Sequence, residues 1–154
     1  MATFADWVPF FGRSAFDPAI RKAFADAGIA TLPKIPRDEI FTLQDVDSGL
    51  VVNLTDSDVF TDLKEPVGTG TPIVAAVTMY VIDPDGVPYR GPLPFGLHAD
   101  DGRALLRGRF GEPEDGDDDI PSDEWTVEGL VLRVFYTADL GALRRVRLTL
   151  PEAN

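Results

Sequence analysis

The densest group of side chains that could do chemistry is a run of carboxylates between Glu112 and Glu124. It contains no base and eight acids: Glu112, Glu114, Asp115, Asp117, Asp118, Asp119, Asp123 and Glu124. Closely spaced carboxylates attract a basic protein surface and speed association with it. The sequence therefore predicts a partner-binding surface made of Glu114, Asp115, Asp117, Asp118, Asp119, Asp123 and Glu124.

Two other interpretations of this acidic run stay open. A solvated surface loop would have the same composition without any binding role. A calcium site would use the hard oxygens of residues 115–119, although the run lacks the Asp-x-Asp-x-Asp-Gly order and the distal bidentate Glu of an EF-hand loop.

The single histidine, His98, lies next to Asp100 and Asp101 in the sequence. A carboxylate could raise the pKa of its imidazole and make a general acid or base, so His98 and Asp100 are the one candidate catalytic pair. A capping or half-buried loop histidine is the alternative. The sequence has no cysteine, no Gly-x-Ser-x-Gly turn and no phosphate-binding glycine loop. We therefore expect no enzyme activity, no cofactor and no metal site.

Composition indicates one domain over residues 1–154. The chain is 44% hydrophobic, and its 26 acids and 14 bases give a formal charge of −12. Such a charge disfavours nucleic acid and anionic lipid as partners and favours a basic protein. We expect a cytoplasmic location, because there is no cysteine, no membrane-length apolar run and no secretory signal after Met1.

Local signals predict two helices. Asp17 and Pro18 are typical of a helix start, apolar residues recur at helical spacing, and Gly28 follows, which predicts a helix over about 18–27. Asp100 or Asp101 is expected to cap a second helix that runs to about Phe110, where Gly111 and Pro113 end it.

The remaining β-prone runs predict strands. Residues 40–43 and 49–54 are expected to form a hairpin around the turn 45–48, and residues 72–82 a long strand that ends at the turn 83–86. Residues 87–90 should return as a short strand. Residues 124–137 and 142–150 should form a second hairpin around the tight turn 138–141.

Two further clusters invite a functional interpretation. The aromatic residues Trp7, Phe10 and Phe11 could form an exposed anchor for a partner or pack on the core. Arg145 and Arg147 should lie on one face of the last strand because side chains alternate along a strand. We expect a solvated basic face there, not a nucleic-acid site.

The two halves of the chain share an order of signals. Both contain a capped helix, a helix-ending glycine eleven residues after the capping Asp, an aromatic residue and a Gly-Leu-Val strand. The anchors pair Asp17 with Asp100, Gly28 with Gly111, Phe41 with Trp125, and residues 49–52 with 129–132. Either a tandem αβββ duplication over 14–90 and 97–151 or shared local rules would produce this match. Both predict an α+β fold with two helices packed on one face of an antiparallel sheet.

The second half also resembles a known family. The carrying segments are Leu93-Pro94-Phe95-Gly96-Leu97, Phe110-Gly111-Glu112-Pro113, Trp125, residues 129–136 and residues 146–150. They resemble small immunity proteins of bacterial polymorphic toxin systems, whose architecture is similar to the tandem repeats of β-lactamase-inhibitor and outer-membrane lipoproteins. The resemblance covers about 60 residues strongly and the first half of the chain weakly. It implies a protein that binds and neutralises a cognate toxin domain. Because the sequence shows no signal peptide and no lipidated cysteine, we expect an immunity protein of the cytoplasm.

We therefore expect a cytoplasmic immunity protein that occludes the active-site cleft of a toxin with a basic surface. The alternative is a small-molecule or scaffold-type binding module of the same fold, with its pocket between the sheet and the two helices. An enzyme using His98 and Asp100 is the third hypothesis.

Overall fold

A computed structural model of the chain describes residues 2–31, 35, 41–60, 71–83 and 86–151. In these ranges the fold is mixed α+β and consists mostly of sheet. The α-helices are α1 (Pro18–Asp26) and α2 (Arg103–Phe110), and short 3-10 turns lie at Phe4–Asp6, Val8–Phe10, Ser57–Val59 and Pro94–Gly96. The strands are β1 (Phe41–Asp47), β2 (Leu50–Asp56), β3 (Pro72–Tyr80), β4 (Asp115–Asp117), β5 (Ser122–Val127), β6 (Leu130–Tyr136) and β7 (Leu143–Thr149).

The strands form one antiparallel sheet in the order β1-β2-β3-β7-β6-β5-β4. The chain builds each half inward from an edge, from β1 to β3 and then from β4 to β7. These two strands pair at the centre, where Met79 lies opposite Val146 and Val77 opposite Leu148. The acidic strand β4 lies at one edge.

One face of this sheet carries the main hydrophobic core. Leu50, Met79 and Val146 are directly paired across neighbouring strands and are fully buried. Directly paired side chains lie on the same face of a sheet, so these three residues form a continuous apolar row across β2, β3 and β7. Buried residues of both helices, Ile20 and Leu106 among them, belong to the same cluster of core side chains.

Helix α1 confirms the predicted element at 18–27. The Asp17 carboxylate accepts a hydrogen bond from the Ala19 amide at 2.9 Å, and Gly28 has a φ of +92° just beyond the helix. Such local chemistry depends little on the remainder of the fold, which is why the sequence pattern predicts it well.

The predicted cap of α2 is wrong. The capping position is Gly102, and neither Asp100 nor Asp101 caps the helix. The Asp101 carboxylate instead accepts from the His98 amide at 2.8 Å, which closes a turn before the helix. Gly111 ends α2 with a φ of +88°, as predicted.

Both predicted hairpins exist, and the turn at 138–141 is confirmed by the pairing of Tyr136 with Leu143 across it. In the first, residues 45–47 belong to β1, and the turn is Ser48–Gly49. In the second half, the predicted strand 124–137 is split into β5 and β6 by a turn at Glu128–Gly129, where both residues have positive φ. Because the residues on both sides of this two-residue turn are β-prone, the sequence pattern predicted one continuous strand.

The predicted strand at 87–90 is also wrong. Only the Tyr89 amide bonds to β3, at 2.8 Å from the Tyr80 carbonyl, and the neighbouring Pro88 has no amide hydrogen to extend a ladder. Ile40 of the first predicted strand and Pro84–Asp85 of the predicted turn lie outside the described residues.

The N-terminal aromatic residues pack on the core. Trp7 and Phe11 are 3% and 1% exposed, and the Trp7 ring centroid lies 4.9 Å from that of Phe24. The segment is tied to β3 by hydrogen bonds such as Gly12 N to Val74 O at 3.0 Å. The alternative of an exposed aromatic anchor is wrong for these two side chains. In the described part of the chain, neither helix has the length and apolar character needed to cross a membrane.

Candidate functional site

The acidic run is a β-hairpin at the edge of the sheet. We call residues 112–124 the acidic hairpin. Strand β4 pairs antiparallel with the start of β5, with Asp115 opposite Glu124 and Asp117 opposite Ser122. The run is therefore not an irregular loop, and residues 115–117 and 122–124 have defined positions on a paired backbone.

The tip of the acidic hairpin presents carboxylates to solvent. The Asp117 carboxylate accepts from the amides of Asp119 and Ile120, at 2.7 and 3.2 Å, which fixes the turn from within. The side chain of Asp118 is 93% exposed, and Asp119 is exposed as well. Arg103 lies 3.1 Å from one Asp118 oxygen, so the tip is also linked to α2.

Asp123 is the one predicted binding residue that the fold removes from the surface. Its side chain is fully buried. Arg107 donates two hydrogen bonds to it, at 3.0 and 2.8 Å, and the Tyr136 hydroxyl donates a third at 2.9 Å. Asp123 therefore fastens α2 to the base of the acidic hairpin, and it cannot contact a partner without disrupting these bonds.

Hydrogen bonds and nearby charges affect the pKa of Asp123 more than its burial does. Burial opposes ionisation of Asp123, but hydrogen bonds from Arg107 and Tyr136 and the charges of Arg103 and Arg107 favour the carboxylate. The pKa of Asp123 therefore lies below its ordinary value. The same contact and burial raise the pKa of the Tyr136 phenol, so the hydroxyl stays a donor.

Two carboxylates on the flank of the hairpin are paired with Arg133. This side chain donates to Asp115 at 3.1 Å and to Glu124 at 3.3 Å. The hydrogen bond from Arg133 is the largest cause of a lowered Asp115 pKa. Glu114, in turn, accepts from the Thr126 hydroxyl at 2.9 Å. The flank is thus partly neutralised by Arg133, and at the tip Arg103 lies beside three exposed acids, Asp117, Asp118 and Asp119.

The candidate catalytic pair is not assembled as predicted. The His98 side chain is 76% exposed, and its Nδ1 lies 4.0 Å from Asp101, the neighbour of the residue that the sequence favoured. Asp100 is exposed. The His98–Asp101 contact belongs to the turn that precedes α2, as expected of a loop histidine.

The described residues give the calcium interpretation no support. Within residues 2–31, 35, 41–60, 71–83 and 86–151, no three His, Cys, Asp or Glu side chains are grouped so that they could hold a metal ion. The carboxylates of the acidic hairpin contact arginines, Thr126, the Tyr136 hydroxyl and backbone amides.

A second feature lies on the other face of the sheet. A groove of about 340 Å³ is lined by residues that alternate with the core residues along their strands, among them Phe41, Tyr80, Phe135, Arg145 and Arg147. The prediction that Arg145 and Arg147 share a face is confirmed. No sequence signal located this groove, because its aromatic residues come from distant strands.

Comparison of the chain with protein-family models, with curated proteins and with solved structures yields no significant match. The functional conclusion therefore depends on the residues and geometry described above.

Proposed function

We propose that this protein is a cytoplasmic immunity protein that binds a cognate antibacterial toxin domain and neutralises it by occluding its active-site cleft. The acidic hairpin is the contact surface. Its partner is a protein with a basic cleft, and no catalysis by this chain is required.

The observation that carries the proposal is the exposed acidic tip on a support held by hydrogen bonds and ion pairs. Asp118 and Asp119 project from a turn that the Asp117 carboxylate fixes, and the buried Asp123 holds the base of the hairpin to α2. A binding surface that is ordered before it meets its partner loses less conformational entropy on association. The same fixed geometry allows a narrow negative edge to enter a cleft.

Charge supports the same conclusion. Eight of the 26 acids lie in the acidic hairpin without a base among them, in a chain with a formal charge of −12. Charge of this kind steers a basic partner toward the surface and raises the association rate, which suits the fast capture of a toxin.

We further infer that both helices lie on the core face and that the chain is a tandem repeat of 14–90 and 97–151. The strand order supports this inference, because β3 and β7 meet antiparallel at the centre and a hairpin extends outward from each. Buried side chains of α1 and α2 in one core cluster support it as well.

The experiment uses the full chain and the product of the adjoining open reading frame. We expect the two proteins to co-purify after co-expression, and we expect the chain to protect cells against that product. A neighbouring product that neither binds the chain nor harms unprotected cells would contradict the proposal.

Small-molecule binding is the second candidate function. It is favoured by the groove on the open face of the sheet, which joins aromatic walls with arginine side chains.

A further inference from the structure

The groove on the open sheet face contains an arginine in an unusual setting. The guanidinium carbon of Arg145 lies 3.9 Å from the centroid of the Phe135 ring and 6.0 Å from that of Tyr80. Stacking on an aromatic face orients the planar group and leaves its N–H edges for in-plane hydrogen bonds.

The charge of Arg145 has no carboxylate partner among the described residues. This contrasts with Arg103, Arg107 and Arg133, each of which pairs with an acid. The Arg145 Nε is buried and makes no hydrogen bond within the described part of the chain. A partly buried guanidinium without an acceptor is a site at which an anion gains both charge pairing and hydrogen bonds.

The surroundings of Arg145 are apolar on one side and polar on the other. Phe41 and Leu43 of β1 are 44% and 53% exposed and form one wall. Thr78 and Asn53 bring polar side chains to the floor. The described residues that line the groove include two arginines and no acid.

We propose that this groove binds a small carboxylate that carries an aromatic or branched apolar body. The carboxylate accepts hydrogen bonds from Arg145, and the apolar body lies against Phe41, Leu43 and Tyr80. A volume of about 340 Å³ falls at the lower end of the range for small-molecule sites. The proposal is independent of the acidic hairpin and of any toxin partner.

The test uses three probes that separate charge from apolar contact. 3-Phenylpropionate has both features, 3-phenylpropionamide lacks the charge, and acetate lacks the ring. Binding to the full chain is followed by amide and arginine Nε–H chemical shifts. We expect saturable shifts at Tyr80, Phe135 and Arg145 with phenylpropionate, and dissociation constants at least tenfold higher for the amide and for acetate.

Two variants test whether Arg145 is the arginine that binds the carboxylate. Arg145→Gln removes the guanidinium and should weaken phenylpropionate binding at least tenfold. Arg144→Gln removes the same charge from the adjacent, exposed position and should leave binding unchanged. Circular dichroism and thermal melting establish that both variants are folded.

Three outcomes would overturn the proposal. They are no saturable shift with phenylpropionate at millimolar concentration, equal affinity for the acid and the amide, and equal effects of the two substitutions. If Arg145→Gln failed to fold, the probe comparison and the shift map on the unmodified chain would still decide the matter. None of these results bears on toxin binding, so this proposal and the immunity function fail separately.

Discussion

At the scale of single residues, the acids of the hairpin divide into two kinds that composition cannot separate. Asp118 is almost fully exposed, whereas Asp123, five residues later, is fully buried between Arg107 and Tyr136. The difference arises because Asp123 pairs with side chains of α2 and β6 that are distant in sequence. The sequence did contain one indication that an acid is paired with α2. Arg103 and Arg107 lie one helical turn apart and so share a face of that helix.

Replacement of Asp123 by Asn tests the role of this residue. The amide preserves the shape but leaves Arg107 without its counter-charge, so we expect the free energy of unfolding to fall by about 3 kcal/mol. This is the low end of the range for breaking a buried pair, because Arg107 is 39% exposed. Tyr136→Phe removes a single hydrogen bond and should cost about 1.5 kcal/mol. Urea unfolding measures both, and equal or negligible losses would contradict the assigned role.

The lowered pKa of Asp123 predicts how stability depends on pH. A group whose pKa is lower in the folded than in the unfolded state contributes stability above the unfolded pKa, and this contribution disappears as the pH falls through the folded value. The ordinary value is 3.8 and the folded value lies below it. The free energy of unfolding should therefore fall from about pH 5 downward, and less steeply in Asp123→Asn. Parallel pH profiles for the two proteins would refute the shift.

At the scale of elements, the bounds of α1 follow from the sequence, whereas the turn between β5 and β6 does not. Asp17, Pro18 and Gly28 act on their own backbone, so the bounds of α1 follow from the local sequence. Glu128 adopts a φ of +51° in the turn between β5 and β6. A glutamate rarely has this conformation, so its residue type does not predict the turn. The strand pairing within 112–124 could not be predicted either, because an Asp-rich sequence disfavours strands and only the edge of the existing sheet makes one form.

The two hairpin glycines offer a matched test of the elements. Gly49 and Gly129 both have positive φ, and they are paired anchors of the two halves. A Cβ at Gly49 would lie 2.1 Å from the Tyr89 amide nitrogen, whereas at Gly129 it would meet nothing within 4 Å. Gly129→Ala should cost about 1 kcal/mol for backbone strain alone, and Gly49→Ala clearly more, because the backbone around Tyr89 must move. Thermal unfolding compares them, and equal losses would show that the close approach to Tyr89 is not maintained.

At the scale of the whole molecule, the chain separates its charges. The acidic hairpin forms one edge of the sheet, while the groove with Arg145 and Arg147 opens on the face opposite the core. The net charge was available from composition, and so was the position of the acidic run in the chain. The groove was not, because it arises from the juxtaposition of β1, β3, β6 and β7, and topology decides which distant residues become neighbours.

The central claim is that the exposed tip of the acidic hairpin captures a basic toxin domain. Its most direct test replaces Asp117, Asp118 and Asp119 together by Asn, whose side-chain oxygen can still accept the turn hydrogen bonds of Asp117. The control removes the same charge from three other exposed positions, with Asp45, Asp58 and Asp100 replaced by Asn.

Stopped-flow association with the product of the adjoining open reading frame is measured over a range of ionic strength. We expect the hairpin variant to associate about tenfold more slowly at low salt and with a flatter salt dependence, because steering by the local charge is lost. The control should behave much like the unmodified chain. Equal rates and equal salt dependence for the two variants would contradict the claim.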